Sequence, residues 1–408
     1  MPAAVSCKIH RKDIDRSAGG LLVGLFLATC LIVLPSGLIW ERCSLVDQAW
    51  AMAKTYQGFG ASTLGGTGQP VYAVTNLNDA GPGSLRDAVS QEKRSVVFKV
   101  AGEIKLTNDI WVRGAFLTID GTTAPSPGIT LKNHGLLILG HHGAHDIIVR
   151  GIRVRDSIGC DRCPTSGAGI SISRGAYNIV LDHVSVQGAQ DQALGMGKEA
   201  HDVSVQWSIF AESASATGKN LPVLISASTK RVSMHHNLLI KGYERLPQAK
   251  YSDSGTQASD TQLDLRNNLI WEWRSVATQL WKGTRANVVA NYYYTPDGTE
   301  NTHKRAIYFC HAGSKPPQCD GTNPQWFARA YIADNTSGHG PEITTYLNSL
   351  GTEASPFPAP SIDTTDACKA AQQVLDRAGV RPLDAVDRRY IAQVFLAGCP
   401  ATGAPARK

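Results

Sequence analysis

Residues 231–251, RVSMHHNLLIKGYERLPQAKY, open with Val232, Met234 and His236 on one face and Ser233, His235 and Asn237 on the other. That alternation predicts a strand, continued by the apolar Leu238-Leu239-Ile240 and broken at Lys241-Gly242 and again at Leu246-Pro247. A rigid rung thus delivers Arg245 and Lys250 onto the next segment, where two cations can meet an acidic ligand. A strand followed by a basic surface loop is the plainer alternative, and the surrounding chain has to decide between them.

The same frame recurs. IVLDHVSV, VSVQWSIF, VSMHHNLL, LDLRNNLI and VVANYYY share apolar alternation, a polar pair and further apolar residues. Aligned on His183, Trp207, Asn237, Asn268 and Asn291, they step by 24, 30, 31 and 23 residues, with Gly151 one step earlier and Asn335 one step later. Periods of this size mark solenoids, propellers or arrays, and a four-stranded propeller blade needs more chain than most of these steps offer. Two or three short strands per step fit a parallel β-helix, in which each coil buries its apolar face against its neighbours. Asn237, Asn268 and Asn291 are placed to stack as a ladder within a turn. The longer steps imply loop insertions at Glu212–Pro222 and Lys241–Ala258, and such insertions gather on one face, often the binding face.

Strands are expected at Ser95–Val100, Leu117–Asp120, Ile129–Lys132, Leu136–Leu139, Ile147–Val154, Ile170–Ser173, Ile179–Val186, Val203–Phe210, Arg231–Ile240, Leu263–Trp273 and Asn287–Tyr294. Short helices are expected at Leu45–Tyr56, capping the solenoid's start, and at Leu85–Val89. Two amphipathic helices, Thr364–Ala378 and Ala385–Ala397, are expected to cap its open end, stapled through Cys368 and Cys399. The fold class is therefore all-β, a parallel β-helix with an N-terminal capping helix and two C-terminal helices. Its domains run over residues 45–345 and 346–408.

With 42% hydrophobic and 18% charged residues the 408-residue chain can bury a core and does not have the composition of a disordered protein. A formal charge of +6 suits a polyanionic partner. Basic residues Lys8, Arg11, Lys12 and Arg16 before the apolar run Leu21–Trp40 mark an export signal or a membrane anchor over residues 1–44, and place the rest outside the cytoplasm, secreted or periplasmic. In an oxidising compartment the pairs Cys160/Cys163, Cys310/Cys319 and Cys368/Cys399 are expected as disulfides. Zinc at Cys160 and Cys163 would need a second ligand pair, and His141, His142 and His145 lack the spacing. No Walker lysine follows Gly65–Gly68, which excludes a P-loop, and no GxSxG elbow is present. Gly338-His339-Gly340 lacks the paired aspartates of a β-helical polygalacturonase and is taken as a turn.

Asp182-His183, Asp191-Gln192, and Arg245 with Lys250 lie on neighbouring coils of this register. Carboxylates beside arginine and lysine suggest a divalent cation and an anionic sugar, and oxygen ligands of this kind suit calcium. In these residues the chain resembles the polysaccharide lyase family 1 pectate lyases. The resemblance runs from about residue 55 to 400 and rests on Gly58-Phe59-Gly60-Ala61, VYAVTNLNDAGPGSLRDAV from Val71, LTIDGTTAPSPGITL from Leu117, LDHVSV from Leu181, VSVQWSIFAES from Val203 and VSMHHNLLIKGYERLP from Val232. It implies a right-handed parallel β-helix that cleaves polygalacturonate by β-elimination. Arg245 would then be the base that removes the C5 proton. Lys250 matches a second basic residue where arginine is usual, and Lys219 a substrate-binding lysine. Asp182, Asp191 and Gln192 fall at calcium-ligand positions.

Two departures weaken the expected calcium site. Gln192 stands where the family carries an acid, and Gly167-Ala168-Gly169 stands where another aspartate is common. Three activities therefore stay open: a lyase with weak calcium binding, a calcium-independent pectin lyase-like enzyme, and a β-helix that binds polyuronate without cleaving it. The expected partner is acidic polysaccharide and not nucleic acid, bound by a monomer.

Overall fold

The structure, a computed structural model, describes residues 32–34, 37–39, 56–158, 167–213, 220–226, 228–250, 262–296, 305–310, 322, 327–339 and 352–400. The chain divides into two units, 1–55 and 56–408. The described part of the first is an antiparallel pair of strands, Ile32–Leu34 and Gly37–Ile39. The helix expected at Leu45–Tyr56 and the export or anchor segment lie outside the described residues, apart from those two strands. No helix among the described residues is long and apolar enough to cross a membrane.

The second unit is a right-handed parallel β-helix of three long sheets, with ten, nine and eight described strands. Each coil contributes one strand to each sheet in turn. Tyr177–Asp182, Ser185–Gln187 and Leu194–Gly197 make one coil, and Lys230–His235, Leu238–Gly242 and Gln248–Lys250 make the coil two steps on. Ile179, Val203, Val232 and Leu263 stack in register, as do Leu181, Val205, Met234 and Leu265. These side chains fill the interior together with inward residues of the other two sheets, so each coil is stabilised mainly by its two neighbours.

Several of the long runs expected as single strands are two strands meeting at a sharp bend. The bend residue is left-handed in coil after coil: Gly151 (φ 66°), His183 (50°), Trp207 (50°), His236 (55°), Asn267 (53°) and Ala290 (52°). Only the first is glycine, which is why composition did not announce the corner. The pairing also corrects the alignment of repeats. Gln206 pairs with His235, so Trp207 aligns with His236, and Asn237 aligns with Ser208. The asparagines do form the expected ladder. Nδ2 of Asn237 donates to Oδ1 of Asn268 (2.9 Å), Asn268 to Asn291 (3.0 Å) and Asn291 to Asn335 (3.0 Å). Each amide also donates to a backbone carbonyl, so the buried groups at this corner are paired.

The C-terminal helices, Ala367–Arg377 and Ala385–Gln393, cover a side of the solenoid rather than its open end. Ala371, Val374 and Tyr390 pack on outward-facing Ile209, Leu238 and Leu269 of the nine-stranded sheet. An apolar outer face needs a cover, and that need outweighs capping the end. Cys368 and Cys399 are bonded with Cα atoms 5.5 Å apart, and Cys310 is disulfide-bonded too. Cys160, Cys163 and Cys319 lie outside the described residues. A short helix, Leu85–Ala88, is where the sequence placed it, capped by Ser84. Residues 56–66 lie along the ten-stranded sheet, where the Gly60 N–H donates to Ser204 Oγ (2.9 Å). A Cβ at Gly60 would sit 2.4 Å from the Ile179 carbonyl oxygen, so this contact requires glycine.

Candidate active site

The corner between the nine- and eight-stranded sheets carries the chemistry. Asp191 and Gln192 occupy it just before the strand Leu194–Gly197, and Glu244 and Arg245 occupy it two coils on, just before Gln248–Lys250. In the eight-stranded sheet Met196, Ile225 and Ala249 point into the core, so Ser171, Gly195, Leu224 and Gln248 form one outward row. Ser171 and Gly195 on that row are small and leave room for a ligand. Asp191 and Gln192 line a cleft of about 180 Å³ there, with Ser171, Gly195, Leu224 and Lys198.

Arg245 is fixed by its backbone. It takes a left-handed conformation (φ 69°), its carbonyl accepts from the Val223 N–H (3.0 Å), and the next N–H, of Leu246, donates to the Ala277 carbonyl (2.9 Å). A non-glycine residue held at positive φ by neighbouring coils is the kind of strain that collects at functional sites. Its Nε is buried without a hydrogen-bond partner among the described residues. Burial lowers the guanidinium pKa from its ordinary value, and the negative charges of Glu244 and Asp191 oppose that shift.

Asp191 is affected in the complementary way. Burial raises its carboxyl pKa, and the positive charge of Arg245 offsets only part of the rise. Gln192 is buried, and its amide nitrogen donates to Asp191 Oδ1. Asp191 and Arg245 are therefore electrostatic partners across two coils, as the register anticipated. Lys250 lies at the trailing edge of the same sheet, in register with Trp281.

Asp182 is not brought to this cleft. It ends a strand of the ten-stranded sheet, where its carboxylate pairs with His183 Nδ1 (2.7 Å) and accepts from Gln206 Nε2 (3.1 Å). Two corners of the coil separate it from Leu194–Gly197, a separation that sequence adjacency to Asp191 conceals. Lys219 lies outside the described residues. Glu244 escaped the sequence reading. Its signal was direct adjacency to Arg245, and it is buried with Oε2 accepting from Gln279 Nε2 (3.4 Å).

Among the described residues no three His, Cys, Asp or Glu side chains converge as a metal cluster. One carboxylate and one amide oxygen cannot satisfy the six to eight oxygens of a resident calcium. They do fit a cation shared with an anionic ligand, because the half-buried Asp191 carboxylate is only partly compensated by Arg245.

No family-wide sequence profile matches the chain. Curated relatives do. A probable pectate lyase C of Aspergillus flavus is 32% identical over 349 residues, spanning 83% of this chain and 75% of the relative. The probable pectate lyase C of Aspergillus oryzae is 32% identical over 357 residues, with the same shares. Among solved structures, the cedar pollen allergen jun a 1 superposes with a TM-score of 0.62 at 20% identity, over 82% of this chain and 95% of the allergen.

Proposed function

The chain belongs to the pectate lyase family, and from that premise we propose that it cleaves de-esterified polygalacturonate by β-elimination at the Asp191–Arg245 cleft. The observation that carries this reading is Arg245 itself, a backbone-strained and partly desolvated arginine beside the carboxylates of Glu244 and half-buried Asp191. Arg245 takes the proton from C5 of a uronate, the C4–O bond breaks, and the electron pair left at C5 forms the C4=C5 double bond. The departing sugar keeps the bridging oxygen, which takes a proton from water as it leaves.

Arginine is a poor base in water, and desolvation by the site lowers that barrier by disfavouring its charged form. Asp191 and Gln192 would hold Ca2+ together with the substrate carboxylate. When bound, the cation supplies positive charge that acidifies C5–H and stabilises the enolate-like charge. Lys250 binds substrate from the trailing edge of the sheet, and Lys219 is assigned the same role from its sequence position. Asp182 has no part in this assignment. The bonded Cys368 and Cys399 support action outside the cytoplasm.

Purified protein is to be assayed on polygalacturonate with calcium and with chelator, by absorbance of the unsaturated product. Activity should rise with pH and fall with chelator, and Arg245→Ala should reduce it by about a thousandfold, the scale of a lost general base. An acid-peaked profile would count against Arg245 as base. Polymer binding without product from either protein would favour a binding module.

A further inference from the structure

The trailing edge of the eight-stranded sheet carries a row of cations, of which only Lys198 lines the cleft of Asp191 and Gln192. Arg113 follows the strand Ile110–Val112, His141 and His142 follow Leu136–Leu139, Arg174 follows Ile170–Ser173, and Lys198 follows Leu194–Gly197. Ser173 pairs with Gly197, so Arg174 and Lys198 are equivalent positions on successive coils. Both are left-handed at that corner, with φ of 58° and 48°. Arg113 and Lys198 are exposed and Arg174 half-exposed, and none of the three forms a salt bridge among the described residues. Glu199, next in sequence, pairs with none of them.

At the far end the half-buried Trp111 has the Arg113 guanidinium 5.2 Å from its ring centroid and stacks on His142 at 5.5 Å. Trp111 and Arg113 line a second cleft, of about 450 Å³, with Arg86, Asn108 and Asp109. Its carboxylate is already engaged, since Asp109 accepts from the Gly135 N–H (2.8 Å).

We propose that this row extends the substrate track, with Lys198, Arg174 and Arg113 binding uronate carboxylates along it and Trp111 stacking against a sugar at its end. The proposal rests on the cleft's assignment to a polyuronate. Three arguments carry it. Like charges gathered without paired counter-charges are unfavourable unless an anion joins them, and here partial desolvation, then His142, then Arg174, Arg113 and Lys198 lower the pKa of exposed His141 from its ordinary value. Successive strands stand about 4.8 Å apart, on the scale of one monosaccharide, so a regular polyanion matches a regular row. The track is also continuous, because Lys198 lines the cleft of Asp191 and Gln192. Trp111's strand lies five places from that of Lys250 in the sheet, about 24 Å along the solenoid at that spacing.

The test compares Arg113→Gln/Arg174→Asn with a control, Lys99→Gln/Lys369→Gln, that removes two exposed cations elsewhere. Asparagine suits the left-handed backbone at 174. Binding of polygalacturonate is measured by affinity electrophoresis in an Arg245→Ala background, and KM for polymer and for a galacturonate trimer in the active enzyme. The track variant should weaken polymer binding and raise polymer KM by about tenfold, as loss of two exposed ion pairs would. The trimer KM and kcat should change less than about twofold. Trp111→Ala should weaken polymer binding in the same selective way. Polymer affinity equal to the parent's, equal weakening of trimer and polymer, or equal weakening in the control would overturn the track. Binding is read without turnover, so loss of the lyase assignment and loss of the track are separate outcomes.

Discussion

Acidification offers a quantitative test of how the coil carrying Arg245 is held. His235 ends its first strand, His236 forms the bend that follows, and they are 2% and 5% exposed. Burial, then the neighbouring His236 ring, push the His235 pKa down to about 3, against a backbone hydrogen bond to Gln57. Burial, then Arg377, push His236 down to about 4, against Asp363. His236 is also stacked on Trp207 at 4.3 Å, with the Arg377 guanidinium 5.5 Å from the same indole. Both folded values lie below the unfolded value of about 6.5. Their stabilisation is therefore full above that pH and is lost as pH falls towards the folded values. At about pH 4.5 the unfolded chain has bound two protons that the folded chain refuses, a loss of about 5 kcal/mol for the pair. That is comparable to the whole stability of many domains. Urea unfolding at about pH 7.5 and pH 4.5 should show the parent losing about 5 kcal/mol more than His235→Gln/His236→Phe, a pair that cannot titrate and keeps an aromatic ring against Trp207. The carboxylates common to both proteins cancel in that difference. Equal pH dependence in the two proteins would refute the argument. The consequence for function is a shared direction, since the fold gains stability and a larger fraction of Arg245 is neutral and able to accept a proton as pH rises.

Two further outcomes test neighbouring parts of the account. Gln192→Glu restores a second acidic ligand beside Asp191 and should tighten calcium binding by about tenfold, read by calorimetric titration; an unchanged or weaker affinity would show that the cation is held elsewhere. Asn268→Ala strips the acceptor from the Asn237 backbone N–H and side-chain amide and the donor from the Met234 carbonyl, and should cost about 3–5 kcal/mol in urea unfolding. A cost below about 1 kcal/mol would mean that water replaces the ladder.

What the sequence disclosed, and what it hid, follows from the geometry of a coil. Side chains stacked coil upon coil repeat the same residue types, so Val203, Val232 and Leu263, or Asn237, Asn268 and Asn291, betray the solenoid and its ladder. The bend residues repeat less faithfully. His183, Trp207 and His236 stack as rings, yet Asn267 and Ala290 take the same left-handed conformation, because neighbouring hydrogen bonds impose the bend on whatever residue arrives there. Asp182 and Asp191 are nine residues apart in the chain, yet Asp182 ends a strand of the ten-stranded sheet and Asp191 lies at the corner that leads into the eight-stranded one. Arg245 is two coils from Asp191 and close enough to shift its carboxyl. In a β-helix, proximity at the surface follows coil number and corner, and sequence distance predicts it only once both are known. That is why Arg174 and Lys198, in separate segments of sequence, form one charged edge, while the carboxylate of the Asp-His pair is turned to another face of the solenoid.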